Sequence, residues 1–149
     1  MIIDNILLDN LTAQAKESPR LRMNLDLRNS DADSSQRMLN AIEPGSVVPI
    51  HRHQKTSETV VVLRGRVVEE YYSSSEGVVE ASYELAAGGG ARSESGMTER
   101  ESGMAEVACA LNIPAGQWHT LRALESGTVI LEMKDGAYEP ISPADILSM

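Results

Sequence analysis

Two segments of the chain carry side chains that could bind a metal ion together. The first holds His51 and His53, separated by one residue, and then Glu58. Side chains of a strand alternate between its two faces, so both imidazoles point the same way if this segment is extended. The third and last histidine of the chain, His119, ends the second segment, Pro-Ala-Gly-Gln-Trp-His. Imidazoles combined with a carboxylate are a donor set for first-row transition metals.

This donor set predicts one divalent transition metal ion, with His51, His53, Glu58 and His119 as its ligands. Three neutral nitrogens and one anionic oxygen suit Fe, Mn, Ni, Co or Zn better than Ca or Mg, which prefer oxygen ligands. Four protein ligands leave a catalytic position open if the metal takes five or six ligands, whereas four-coordinate zinc would be closed. Glu58 has two alternative roles, orienting a histidine or acting as a general base. No catalytic residue beyond these four is assigned.

The rest of the chain reads as short strands separated by glycine and polar turns. A short helix is predicted over 9–17, ended by Ser18 and Pro19, because proline disfavours a helical residue before it. Repeated short strands without a long helix predict an all-β sandwich or barrel that can hold a ligand inside. In the strand 58–64, Glu58 shares the inward face with Val60 and Val62. The predicted strands are 38–43, 46–53, 58–64, 66–72, 78–85, 105–113 and 128–134.

The first segment resembles the first sequence motif of the cupin superfamily. In that motif a glycine precedes His-x-His by five residues, a glutamate follows after four more, and a second glycine follows after six. Gly45, His51, His53, Glu58 and Gly65 occupy all of these positions. The resemblance implies the same ligand roles for the two histidines and the glutamate.

The second segment is similar to the core of the second cupin motif, Pro-x-Gly-x-x-His. Pro114, Gly116 and His119 match it, while Ala108 and Ala123 stand where the motif usually has glycine and asparagine at its ends. The departures lie outside the ligand position. The two motifs together imply a cupin double-stranded β-helix, which is a jelly-roll barrel, here with a short N-terminal helix.

Further stretches resemble the WbuC-type cupin-fold metalloproteins, and together they cover most of the chain. Members of that family often carry a histidine near position 28, where this chain has Arg28, so no site role is expected there. The resemblance implies a bacterial protein linked to surface-polysaccharide metabolism. The similar stretches are 18–24, 36–41, 49–53, 63–66, 113–119 and 132–138.

The resemblance leaves two functional alternatives open. One is an enzyme, isomerase/epimerase-like or dioxygenase-like, that acts on a small polar or anionic molecule such as a sugar or sugar nucleotide. The other is a non-catalytic module that binds or senses a small molecule through its metal. Candidate substrate contacts are Asn40, Arg37, Asn24, Arg22, Lys134 and Trp118. Asn40 is the favoured one, because it shares a predicted strand face with apolar residues and a buried amide needs a hydrogen-bond partner.

Composition and charge narrow the class of protein. The 149 residues are 42% hydrophobic and 23% charged, as expected for one globular domain. A net charge of −9 argues against nucleic acid and against anionic membranes as partners. The single cysteine excludes an internal disulfide, and the N-terminal residues lack the basic region of a secretory signal, so we expect a cytoplasmic protein.

We expect an N-terminal helix and extension over 1–35, packed on a barrel over 36–149. Residues 86–104, rich in glycine and serine, are predicted to be a flexible insertion in that barrel, serving either as an inert loop or as a lid. Cupin barrels often pair through strand edges, so the resemblance also implies a homodimer.

Overall fold

Two antiparallel sheets form the body of the protein. The computed structural model describes residues 1–74, 77–90 and 107–147. Within these ranges the chain forms one α-helix, one short 3₁₀ helix (Pro143–Asp145) and eight strands. The helix is α1 (Asn5–Glu17), and the strands are β1 (Arg22–Asp26), β2 (Ser35–Ile42), β3 (Glu58–Arg64), β4 (Arg66–Tyr72), β5 (Val79–Ala86), β6 (Ala110–Ile113), β7 (Trp118–Ala123) and β8 (Thr128–Asp135).

The larger sheet has the strand order β1-β2-β8-β3-β6, and the smaller has the order β5-β4-β7. Every described strand pair is antiparallel. Apolar side chains from both sheets meet between them, as the alternation of buried and half-buried residues along β3 requires. The predicted all-β class with one short helix is confirmed. The members of this inner cluster are Ile42, Val60, Val62, Val67, Leu85, Ile113, Leu121, Ala123 and Ile130.

Helix α1 covers the outer face of the larger sheet. Leu8, Leu11 and Ala15 lie on one side of the helix and pack against Leu39 and Val129 of β2 and β8. This arrangement buries the larger sheet on both faces, because the opposite face lines the barrel interior. Within the described residues, no helix has the length and apolarity needed to cross a bilayer.

The helix begins four residues before the predicted start at residue 9. The side chain of Asp4 accepts a hydrogen bond of 3.0 Å from the amide of Leu7, so it caps the helix N-terminus. The helix ends where predicted, at Glu17, before Ser18 and Pro19.

The predicted strand over 46–53 is wrong. That segment forms no ladder in either sheet and makes only isolated bridges at His51. Pro49 lacks the amide that a continuous ladder would use. The sequence prediction also missed β1 and β7, which the structure places at the edges of the larger and the smaller sheet.

Only the beginning of the predicted insertion at 86–104 can be compared with the structure. Residues 86–90 belong to the described part, and 91–104 lie outside it. Gly90 and Val107 exchange backbone hydrogen bonds of 3.2 and 2.9 Å, and Leu85 bridges Ala108. Residues 85–90 and 107–108 therefore lie side by side at the margin of β5.

Gly65 makes the turn between β3 and β4 at a point of very close packing. Its φ is +83°, a left-handed conformation that favours glycine. A Cβ placed on it would lie 2.2 Å from Oγ1 and 2.8 Å from Cα of Thr128. Thr128 is fully buried, so neither atom can move away easily.

We predict that Gly65→Ala destabilises the protein by about 3 kcal/mol or more, because backbone strain and a clash with buried backbone add together. Chemical denaturation measures this. Gly136→Ala is the matched control, since Gly136 has a φ of +87° but nothing within 4 Å of the added Cβ. Gly136→Ala should lower the free energy of unfolding by only about 1–2 kcal/mol. Equal losses in the two variants would show that the contact with Thr128 is unimportant.

Candidate metal centre

A backbone bridge brings the two histidine-containing segments together. The amide of His51 donates to the carbonyl of His119 at 3.0 Å, and the amide of His119 donates to the carbonyl of His51 at 2.9 Å. Gly116, in the turn before β7, donates to the carbonyl of His53 at 2.7 Å. These three bonds align the 49–53 segment beside β7, although it belongs to neither sheet.

Glu58 reaches the same place from the larger sheet. It is the first residue of β3, where it pairs with Ile113 of β6 and Lys134 of β8. The alternating burial of β3 puts Glu58 on the inward face with Val60 and Val62, as the sequence predicted. The carboxylate thus lies at the point where the apolar interior of the barrel becomes polar.

The four predicted ligands converge. One potential ligand atom from each of His51, His53, Glu58 and His119 lies within 4.8 Å of all the others. Oε2 of Glu58 is 3.0 Å from Nε2 of His53 and 3.6 Å from Nε2 of His119. Glu58 and His119 are buried, and the other two are half-buried.

Hydrogen bonds to carbonyls determine which nitrogen of two imidazoles faces the cluster. Nδ1 of His51 lies 2.8 Å from the carbonyl of Pro49, and Nδ1 of His119 lies 2.9 Å from the carbonyl of Gln117. A carbonyl only accepts, so both Nδ1 atoms carry the proton and donate it. The lone pair is then on Nε2, which is the arrangement found in metal-bound histidines.

The charges of the cluster also match those of a metal ligand set. Burial, together with the nearby His119, lowers the pKa of His51 to about 4, so this imidazole is neutral at neutral pH. Burial alone would raise the pKa of Glu58. The ammonium of Lys134, 3.8 Å from Oε2, favours the ionised carboxylate instead. Ligands bind a metal in these forms, as neutral imidazole and ionised carboxylate.

Three polar atoms of the cluster lack hydrogen-bond partners, which also favours a bound cation. Nε2 of His53, Nε2 of His119 and Oε2 of Glu58 are buried without any hydrogen-bond partner. Their short mutual distances lack hydrogen-bond geometry, so the protein leaves three buried polar atoms facing one another. Such atoms are costly unless something satisfies them. A cation with these atoms as ligands would satisfy all three at once.

A C-terminal strap, defined here as residues 142–147, holds the histidine segment from the side opposite β7. Leu147 donates its amide to the carbonyl of Ile50 at 2.8 Å, and Arg52 donates its amide to the carbonyl of Asp145 at 3.0 Å. The carboxylate of Asp145 also accepts a hydrogen bond of 2.8 Å from Nε of Arg52. Residues 50–53 are therefore held by hydrogen bonds on two sides. These bonds replace the regular strand ladder that the segment lacks.

A cavity of about 780 Å³ opens from the cluster. Four of the six candidate substrate contacts line it: Arg22, Asn24, Asn40 and Lys134. The ammonium of Lys134 lies 3.8 Å from Oε2 of Glu58, so this lysine joins the cavity wall to the cluster.

The structure places the other two candidates away from the cavity wall. Arg37 follows the cavity-lining Gln36 and so faces the opposite side of β2, where its guanidinium is 3.2 Å from Asp33. Trp118 is buried beside His119. The guanidinium of Arg52 lies over its ring, 4.6 Å from the ring centre. That cation–π contact braces the histidine segment from outside.

Two interior carboxyl groups are absent from the sequence prediction. Glu132 of β8 lines the cavity, two positions beyond the direct partner of Asn40 on that strand. Burial, with the negative charge of Glu58, raises the pKa of Glu132 to about 7. Its place on the strand face that also carries Ile130 and Lys134 was the available signal, since a charged residue in phase with core residues marks a polar interior.

Glu69 of β4 is the second of these groups. It is fully buried, and neither carboxyl oxygen has a hydrogen-bond partner. Burial and the negative charges of Glu58, Glu132 and Glu70 raise its pKa well above the usual value. The run Val-Val-Glu-Glu-Tyr gives no sequence signal, because it does not show which of the two glutamates points inward.

We predict that loss of the Asp145 side chain loosens the histidine segment. In Asp145→Ala, the hydrogen exchange of the Arg52 amide should speed up by tenfold or more, because the contact that closes the strap on this segment is gone. Amide exchange followed by NMR measures it. Glu80→Ala removes an exposed carboxylate from β5 and should leave this rate unchanged. Unchanged protection in Asp145→Ala would mean that β7 alone holds the segment.

We predict a pH-dependent stabilisation by Glu69→Gln. A carboxyl with a raised folded-state pKa keeps its proton in the folded protein but loses it when unfolded above its ordinary pKa, so wild-type stability falls as pH rises. The variant lacks this loss. Its advantage in unfolding free energy should grow from pH 5 to pH 8, by about 1.4 kcal/mol per unit until the raised pKa is reached.

Denaturation at several pH values measures this advantage. Glu70→Gln is the matched control on the same strand, because the Glu70 carboxylate is 3.6 Å from Arg122 on a more accessible face. Parallel pH profiles for the two variants would contradict the assignment of a buried, protonated Glu69.

Solved structures with the same fold include three proteins of different kinds. Oxalate oxidase in complex with the substrate analogue glycolate matches with a TM-score of 0.60 at 15% identity, over 85% of this chain and 57% of that chain. KdgF from a Halomonas species matches with a TM-score of 0.54 at 13% identity, over 81% of this chain and 84% of that one. The capsular polysaccharide assembling protein CapF from Staphylococcus aureus matches with a TM-score of 0.54 at 15% identity, over 84% and 34%.

These similarities establish the fold, which is that of the cupins, and confirm the predicted jelly-roll barrel. This chain spans only about a third of CapF and just over half of oxalate oxidase. No curated protein matches the sequence. One family model does match, over residues 3–85, and its description is a domain of unknown function, DUF6016. The matched region is more than half of the chain and includes the first histidine segment, so this protein is a cupin-fold member of the DUF6016 family.

Proposed function

We propose that His51, His53, Glu58 and His119 bind one divalent transition metal ion, and that the adjoining cavity receives a small polar molecule. The observation that carries this proposal is the convergence of four ligand atoms within 4.8 Å, three of them buried without a hydrogen-bond partner. Three neutral nitrogens and one carboxylate oxygen suit Fe, Mn, Ni, Co or Zn. Two imidazoles are already oriented by carbonyls, so little ordering is needed on binding.

Such an ion would supply Lewis acidity, or oxygen activation if it is iron. The residues of the chain supply the remainder of the site. Lys134 places a positive charge beside Glu58, and Asn40 and Glu132 present hydrogen-bonding groups to the same cavity. Glu132, with a pKa near neutrality, is available to give or take a proton within the cavity. This group favours an enzyme over a module that only binds its ligand.

We predict that the double substitution His51→Ala and His53→Ala abolishes metal binding with little loss of fold. Neither histidine belongs to the apolar cluster between the sheets, which supplies the core. Elemental analysis of the purified protein should give one metal ion per chain in the wild type and almost none in the variant. Added metal should raise the melting temperature of the wild type only.

Glu58→Gln and Glu80→Gln form a matched pair for the same measurement. The first removes the anionic ligand, and the second removes an exposed carboxylate of β5. Metal content should fall in Glu58→Gln alone. A metal ion that persists in the double histidine variant would refute the proposal.

We further propose an anionic ligand for this cavity. Five basic side chains line it, and in the described part of the chain only Arg52 and Lys134 among them have a carboxylate within 4.0 Å. The five are Arg20, Arg22, Arg52, Lys55 and Lys134. The similarity to the WbuC-type proteins and to a capsular polysaccharide assembling protein favours a sugar or sugar nucleotide in surface-polysaccharide metabolism. The class of enzyme, isomerase/epimerase-like or dioxygenase-like, depends on which metal is bound.

For the whole protein we propose a single barrel domain, with residues 1–35 as an extension packed on it, located in the cytoplasm. Helix α1 and β1 support the extension, because both contact β2. We also propose a homodimer. In the described part of the chain, β1 and β5 each pair with a strand on one side only, so each leaves an edge that a second copy can cover.

A further inference from the structure

A polar patch lies in the cavity apart from the four proposed metal ligands. It is formed by Arg22 and Asn24 of β1, Asn40 of β2 and Glu132 of β8. Asn24 and Asn40 are direct partners across the β1–β2 pair. The patch therefore spans three neighbouring strands on the inward face of the larger sheet, a face that also carries apolar core residues and, at the metal end, Glu58 and Lys134.

Asn40 contains an acceptor that the protein does not satisfy. The residue is 93% buried, and on the neighbouring strand Glu132 lies two positions beyond its direct partner Ile130. Its Oδ1 has no hydrogen-bond partner. Turning the amide over would only exchange the atoms, because the nitrogen would then lack a partner. A buried acceptor without a partner costs about as much free energy as a good hydrogen bond contributes. A hydrogen-bond donor that enters the cavity would remove this cost.

Arg22 supplies a positive charge next to this acceptor. In the described residues no carboxylate lies within 4.0 Å of its guanidinium, although the charge of Glu132 reaches it. An unpaired, half-buried guanidinium offers a planar fork that fits a carboxylate or phosphate. The patch therefore combines an acceptor pair with an anion-binding group.

Strand geometry sets the distance between the patch and the proposed metal ligands. Glu58 is directly opposite Lys134, and Glu132 is two residues farther along β8. Strand spacing and rise place the Cα atoms of Glu58 and Glu132 about 8 Å apart. The proposed metal ligand Glu58 and the near side of the patch are thus about 8 Å apart, and Arg22, opposite Ile42 of β2, lies farther away.

We propose that Asn40 and Glu132 bind hydroxyl groups of a short polyhydroxylated anion, whose negative group lies on Arg22. Each hydroxyl can donate to Oδ1 of Asn40 or to the Glu132 carboxylate. This inference deepens the proposed function, because it names the ligand class of the same cavity, but the patch contains none of the proposed metal ligands. It can therefore be tested with the metal removed.

Three six-carbon probes separate the two parts of the patch. D-gluconate has hydroxyls and a carboxylate, hexanoate has the carboxylate alone, and sorbitol has hydroxyls alone. Calorimetric titration of the metal-free protein should show gluconate binding at least tenfold more tightly than either of the others, which is about the effect of one well-made hydrogen bond. Equal affinities for gluconate and hexanoate would overturn the proposal.

The variants assign each effect to a residue. Asn40→Leu keeps the size of the side chain and should reduce the gluconate-to-hexanoate ratio to about one without weakening hexanoate. Arg22→Gln should weaken gluconate and hexanoate together. The controls are Asn10→Leu on the exposed face of α1 and Arg37→Gln on the outer face of β2, and both should leave the affinities unchanged.

Glu132→Gln tests the same subsite if Asn40→Leu fails to fold, since it preserves shape. Glu132→Gln should also lower the gluconate-to-hexanoate affinity ratio. Its lost negative charge changes the affinity for both anions and therefore does not affect this ratio. An unchanged ratio in either folded variant would mean that water alone satisfies Asn40, and would refute the subsite.

Metal content of the same variants keeps the two proposals apart. It should stay at one ion per chain, and a wild type that binds gluconate selectively but no metal would refute only the proposed metal centre.

Discussion

The pair of backbone hydrogen bonds between His51 and His119 is the constraint on which the site depends. These residues are far apart in the chain, and the bonds align one segment with the other without a regular ladder. Each histidine then directs its own ring by the same local device, because Nδ1 donates to the carbonyl two residues earlier, of Pro49 or of Gln117. Backbone pairing thus sets the positions, and local carbonyls set the orientations.

The sequence predicted the parts of this arrangement that depend on local periodicity. Glu58 was placed on the inward face because β3 alternates regularly, and the structure agrees. The strand expected over 46–53 failed for a non-local reason: the partners of this segment include residues 145–147, almost a hundred positions away. Strand β7 was missed because His119, an inward polar residue, interrupts the apolar pattern that would have indicated it.

Interior polar residues were hard to predict because the larger sheet is buried on both faces. Along β8 the outer face meets α1 and the inner face meets the barrel core, so apolar residues occupy both phases as far as Leu131. Beyond that point Glu132 and Lys134 replace the inner apolar residues, and the core becomes a cavity. The change is visible in the sequence only once the phase of the strand is known.

The charges of the interior fit a cation at one end and an anion at the other. Glu58, Glu69 and Glu132 face a single interior, and burial, together with their mutual repulsion, raises the pKa of the last two. At the histidine end Lys134 offsets this negative charge in part, and a divalent ion there would further lower the cost of burying Glu58. At the β1 end Arg22 adds a positive charge to the cavity wall. A small ligand with one anionic group can therefore place that group on Arg22 and its neutral hydroxyls among the carboxyl groups.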